Sequence, residues 1–177
     1  MIGKVTIFSL LVIALNPLTI PEITAQDSIG KALAAINGTK AKGTFAPDGP
    51  PLEPPDRVDA GGCCIVDIRQ AYDISGTLSG SLEIDYRIIV YGPCEVPPIL
   101  GKYNESWIAH GTFLGTINGS STSGTLTYTA QVKAGGEVEG RMMFNGGMNG
   151  DVTVSGNFDD GKLSYIGCVQ YLQNGTE

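Results

Sequence analysis

Residues 111–132 read GTFLGTINGSSTSGTLTYTAQV. By composition, so much Gly, Thr and Ser suggests a linker. The order of the residues says otherwise. Phe113 and Ile117 alternate with Thr112 and Thr116, and Leu126, Tyr128, Ala130 and Val132 alternate with Thr125, Thr127, Thr129 and Gln131. A period of two marks a strand with one buried face, and threonine suits a half-exposed pleat. Asn118-Gly119 begins the joining segment. The stretch is therefore predicted to be a β-hairpin with a loop of several residues.

The alternation extends both ways from this hairpin. Leu82, Ile84, Tyr86, Ile88 and Val90 share one face of residues 81–91, and Glu83, Asp85 and Arg87 share the other. Val138, Met142 and Phe144, then Val152, Val154 and Phe158, then Leu163, Tyr165, Val169 and Tyr171 continue the pattern. Five of the eight asparagines precede a glycine (37, 118, 145, 149 and 174), as turns that need positive φ require. Residues 40–45 (KAKGTF) read as a first strand, and residues 47–56 (PDGPPLEPPD) as a stiff extended loop. The expected fold is all-β: a single antiparallel meander of about eight strands over 39–173. It closes into a barrel, with a β-sandwich as the alternative. Strand glycines at 76, 80, 111, 115, 140, 156 and 167 favour the tightly coiled barrel.

Ahead of it, residues 26–38 read as a short helix and linker, with Ser28 capping SIGKALAAI. Residues 1–25 have the layout of a secretory signal peptide: Lys4, an apolar run from Val5 to Leu15, a break at Asn16-Pro17, and a small residue at Ala25. Read instead as an uncleaved anchor, the run is too short. Its helix would rise about 16 Å against a hydrocarbon core of about 30 Å. Residues 174–177 form a tail.

The net charge is −7, and the eleven Lys and Arg are scattered. Such a surface argues against a nucleic-acid partner and against anionic membranes. Four cysteines in an exported chain predict two disulfides. Neighbouring residues of a strand face opposite ways, so Cys63 and Cys64 take separate partners, Cys94 and Cys168, in an order the sequence leaves open. With no Cys-x-x-Cys and a single histidine, no zinc site is expected.

AKGTF at 41–45 and HGTFLGTINGSSTSGTLTY at 110–128 resemble the glycine-threonine hairpins of allene-oxide-cyclase-like barrels. That group includes the secreted dirigent proteins of plants and uncharacterised bacterial members. The resemblance implies an eight-stranded barrel with a central cavity, and in some members cyclisation or coupling of a small apolar substrate. No catalytic residue of the group maps onto a position here.

The chemistry-bearing residues point the same way. His110 lacks a Gly-x-Ser-x-Gly or similar nucleophile frame. Glu83 with Asp85, and Glu137 with Glu139, continue into Arg87 and Arg141 as rows of a solvated outer face. Asp159-Asp160-Gly161 reads as turn chemistry rather than a calcium loop. No metal and no cofactor are expected. Asn37, Asn104, Asn118 and Asn174 each begin a glycosylation sequon. If the barrel keeps a lumen, Tyr86, Trp107, Tyr128, Phe144 and Tyr165 are the candidate ligand-binding side chains. The inward glycines could leave room for a ligand, or aromatic neighbours could cover them. A solid core with binding at the outer surface is the expectation. The function that follows is a secreted, disulfide-bonded, non-catalytic barrel that binds a small ligand or a protein partner. A cyclase- or isomerase-like enzyme and a structural surface component are the alternatives.

Overall fold

The computed structural model describes residues 38–172, so the signal peptide, the helix at 28–36 and the tail lie outside the described residues. Nine strands run in chain order: β1 (Thr39–Pro47), β2 (Asp56–Asp59), β3 (Cys64–Gly76), β4 (Leu78–Val90), β5 (Glu105–Ile117), β6 (Ser120–Val132), β7 (Glu137–Gly146), β8 (Met148–Asn157) and β9 (Lys162–Tyr171). Each strand from β3 to β9 pairs antiparallel with the next, β9 pairs with β1, and β1 pairs with β3. The result is a closed eight-stranded antiparallel barrel, with β2 as one extra strand.

The closure is uneven. β1 covers only the Tyr72–Gly76 end of β3, and β2 covers the Cys64–Asp67 end. Between them the proline-rich loop donates Asp48 N–H to Ala71 O and Leu52 N–H to Arg69 O, so no stretch of β3 is left as a long bare edge. Stepping round the barrel from Gly43 through Tyr165, Val154, Gly140, Ala130, Trp107 and Ile88 arrives on β3 at Val66. Gly43 pairs directly with Gly76, so the strands are staggered by the ten residues between Val66 and Gly76. For eight strands that stagger demands a tilt of about 41°, and leaves an interior just wide enough for side chains to fill.

Side chains do fill it. Leu82, Phe113, Leu126, Tyr128, Met142 and Phe144 are all at most 2 % exposed. Tyr128 lies over Gly140, and Tyr165 lies over Gly43. At Gly111, Gly115 and Gly167, by contrast, it is the backbone of the adjacent strand that occupies the space of a side chain. These inward glycines mark sites where strongly coiled strands approach each other closely, and they open no lumen.

The β5–β6 hairpin is tighter than expected. Ile117 pairs with Ser120, which leaves only Asn118 and Gly119 as a two-residue turn, with φ of 50° and 87°. Positive φ at both positions is the geometry of a type I′ turn, whose twist matches that of the strands. Ser120 to Ser123 therefore belong to the sheet. The β3–β4 and β7–β8 turns lie at the same pole, together with the first residue of β1 and the last residues of β9. The other pole, the mouth, carries the β1–β2, β4–β5, β6–β7 and β8–β9 connections.

The expectation of two disulfides is corrected. Cys64 bonds Cys94, while Cys63 and Cys168 are free thiols. Cys64 points into the core, 2 % exposed, so its neighbour Cys63 faces away. Cys168 lies beside Lys40 and Asp151, past the Gly76 end of β3. Cys63 precedes the first residue of that strand. At 3.3 Å per residue, about 40 Å of strand separates the two ends, far beyond the reach of a disulfide.

A candidate ligand pocket at the mouth of the barrel

The mouth pole is built from loops that hold one another. Gly135 N–H donates to Gly101 O, Phe158 N–H to Gly136 O, and Ala134 N–H to the Asn104 side-chain oxygen. Asn157 caps a short 3₁₀ turn, Phe158–Asp160, by accepting from Asp159 N–H, and Gly161 ends the turn in the left-handed region. This turn sets Phe158 against Trp107, with ring centroids 5.2 Å apart. Trp107 in turn meets Tyr86 edge-on at 5.5 Å, and Tyr86 meets Tyr72 at 6.2 Å and Tyr128 at 6.1 Å. These are the offset and edge-to-face spacings that aromatic pairs prefer.

Between these rings and the proline-rich loop lies a chamber of about 150 Å³, walled by Gln70, Tyr72, Tyr86, Leu100, Trp107 and Phe158, among others. A smaller space of about 70 Å³ continues past Tyr72 and Trp107 towards Phe45 and Leu163. The Gln70 amide is anchored, donating to Gly49 O and Ala71 O. No ionised side chain lines the larger chamber.

Two features around the chamber stand out energetically. The hydroxyls of Tyr86 and Tyr128 are buried and neither makes a well-formed hydrogen bond, although the Tyr86 hydroxyl faces that of Tyr72. Such a group costs about 1–3 kcal/mol, and native structures contain few of them. Burial, followed by the charges of the other phenols, pushes the Tyr86 pKa well above its ordinary value, and burial and Tyr72 do the same for Tyr128. Burial takes Tyr72 up to about 12. All three phenols are therefore neutral donors across the physiological range. The second feature is Glu105, 1 % exposed. One carboxylate oxygen accepts from Gly101 N–H at 2.6 Å and the other from Trp107 Nε1–H at 2.8 Å. Desolvation raises its pKa, and the two hydrogen bonds oppose the shift.

Of the five lumen residues expected from sequence, Tyr86, Trp107 and Tyr128 come together here. Phe144 packs on Phe113 at 6.0 Å, away from the chamber. Tyr165 is a staple: its hydroxyl accepts from Leu78 N–H at 2.9 Å and lies 3.1 Å from Ser75 O, tying β9 to the β3–β4 turn. Sequence reasoning passed over Tyr72, Gln70 and Glu105. Parity was the available signal for Glu105, because Glu105, Trp107 and Ala109 alternate inward.

The remaining candidates are dispersed. Asn104 and Asn118 are exposed, while Asn37 and Asn174 lie outside the described residues. His110 is exposed on the outer wall, its Nε2 3.9 Å from Asp85. A groove of about 670 Å³ runs along that wall between β2 and the outward faces of β3–β5. Its arginines are already engaged, Arg69 with Glu83, Asp85 and Glu53, and Arg87 with Asp67. Hydrogen bonding to Arg87 holds the Asp67 carboxyl below its ordinary range. Exposed pairs of this kind contribute little energy, and they leave no free cation among the arginines that line the groove. No family model matches the chain, and neither a curated protein nor a solved structure matches it.

Proposed function

We propose that the protein is an exported, non-catalytic binding barrel that holds one small, largely apolar organic molecule at its mouth, between Tyr72, Trp107 and Phe158. The observation that carries this reading is an aromatic chamber with the buried Tyr86 hydroxyl in its wall, and the equally unpartnered Tyr128 hydroxyl packed behind Tyr86 and Trp107. An apolar wall with one or two polar handles is the general form of a small-molecule site, and a cavity of about 150 Å³ is the size that holds a single ring. The chamber presents no acid or base, which favours binding over catalysis. Export is supported by the signal-like leader and by the Cys64–Cys94 bond. Among the described residues no helix is long and apolar enough to cross a membrane.

Trp107 is the only tryptophan of the chain, so its fluorescence reports on the pocket directly. Titration with a panel of single-ring and similarly sized organic compounds should shift or quench that emission saturably. Replacing Leu100 by Phe should fill much of the chamber and weaken or abolish the response. A panel that leaves Trp107 emission unchanged at millimolar concentrations refutes the proposal.

A further inference from the structure

The geometry points to a specific ligand class for this mouth: a small organic cation without N–H donors, such as a quaternary ammonium, taken in preference to a neutral molecule of the same shape. The inference rests on the reading of the mouth as a ligand site and deepens it.

Three observations converge on charge. First, the wall is built of π systems, with Tyr72, Tyr86, Trp107 and Phe158 all bordering one chamber. A desolvated cation against such rings gains up to about 2 kcal/mol for a good placement. Second, the Trp107 N–H donates to the buried Glu105 carboxylate. Donation to an anion enriches the indole ring in electrons, which strengthens the attraction of its face for a cation. No described Lys, Arg or His forms an ion pair with Glu105. Its charge is therefore not cancelled nearby and acts through the indole on whatever occupies the chamber. Third, no Lys or Arg lines the larger chamber. Lys162, at the smaller space, is exposed to solvent.

The kind of cation follows from what the wall lacks. A primary ammonium needs acceptors for three N–H bonds, and no carboxylate lines the chamber to provide them. A quaternary ammonium needs none. The protein's net charge of −7 also raises the local concentration of cations.

The test compares choline with 3,3-dimethyl-1-butanol, the same skeleton with carbon in place of the charged nitrogen, by titration of Trp107 fluorescence. Choline should bind at least about tenfold more tightly. In Glu105→Gln, which removes the charge but keeps an acceptor, that preference should fall several-fold while the affinity for the alcohol stays within about twofold. Phe158→Leu, at a half-buried surface turn, should lower choline affinity in the same selective way, and it decides the matter if Glu105→Gln does not fold. Thermal denaturation verifies the fold of each variant. Equal or tighter binding of the neutral alcohol would overturn the cation assignment and leave the mouth as a binding site. No response to either compound would count against both.

Discussion

Two tyrosines of this barrel should respond to the same substitution with different signs. The Tyr165 hydroxyl accepts from Leu78 N–H at 2.9 Å, and its own proton faces Ser75 O at 3.1 Å. Leu78 is fully buried. Tyr165→Phe therefore strands a backbone N–H, at about 1–3 kcal/mol, and removes a second hydrogen bond worth about 1 kcal/mol. The expected loss is about 2–4 kcal/mol. The Tyr128 hydroxyl is also buried but bonds to nothing. Tyr128→Phe removes a desolvated, unsatisfied group, so stability should be unchanged or should rise by about 1 kcal/mol. Urea denaturation followed by circular dichroism separates the two cases. With a slope near 2 kcal/mol/M, the midpoints of the variants should differ by about 1 M or more. If Tyr128→Phe loses as much as Tyr165→Phe, the Tyr128 hydroxyl is satisfied in solution, and the energetic argument for a ligand at the mouth falls with it.

Replacing Cys64 and Cys94 together by alanine should cost about 3–4 kcal/mol, from the loop spanned by a sequence separation of 30; a loss under 1 kcal/mol by urea denaturation would contradict this. Alkylation of the native protein should label Cys63 and Cys168 and add two further adducts only after reduction, whereas no native labelling would mean that these thiols are bridged. Gly43→Ala should abolish folding, because a Cβ there would lie 1.9 Å from Ser75 O and 2.5 Å from the Tyr165 hydroxyl at the β1–β3 seam; soluble protein with a wild-type melting point would refute the closure. Glu105 is held above its ordinary 4.5, so the folded state takes up its proton more readily than the unfolded chain. Wild-type stability relative to Glu105→Gln should therefore rise as pH falls from 7 towards 4.5 and level off below, measured by urea midpoints across that range. Asp67 and Asp151, lowered by Arg87 and Arg141, act in the opposite direction, but both proteins contain them and their effects cancel.

The parts of the fold that were legible in the sequence are those where one side chain decides its own facing. The odd positions of β6 are polar and the even positions of β4 are apolar or glycine, and the inward faces of both strands lie as read. The length of the β5–β6 turn was misjudged because Ser120 to Ser123 look like loop residues in isolation; pairing with Leu114 to Ile117 makes them strand. The cysteine pairing failed for a related reason. Whether Cys63 and Cys168 can meet depends on the stagger of the closed barrel, which no local pattern encodes. At the mouth, Tyr86, Trp107 and Tyr128 were found by parity alone. Tyr72 and Gln70 stand on β3, whose polar and apolar residues alternate less cleanly, and Leu100 lies in a loop with no period at all. Phe144 and Tyr165 share the inward parity but sit at other heights, because parity gives the face of a sheet and not the depth along it.

Thr39 pairs with Val169, so the first strand begins where the last one ends. Both ends of the barrel's chain therefore leave from the pole opposite the pocket. A tether, a fusion partner or a solid support attached at either terminus would hold the molecule by its base and present the mouth outwards. The same adjacency makes the barrel a natural subject for circular permutation: a short linker from Tyr171 to Thr39, with new termini opened at the exposed Asn118-Gly119 turn, would keep both new ends away from the aromatic chamber.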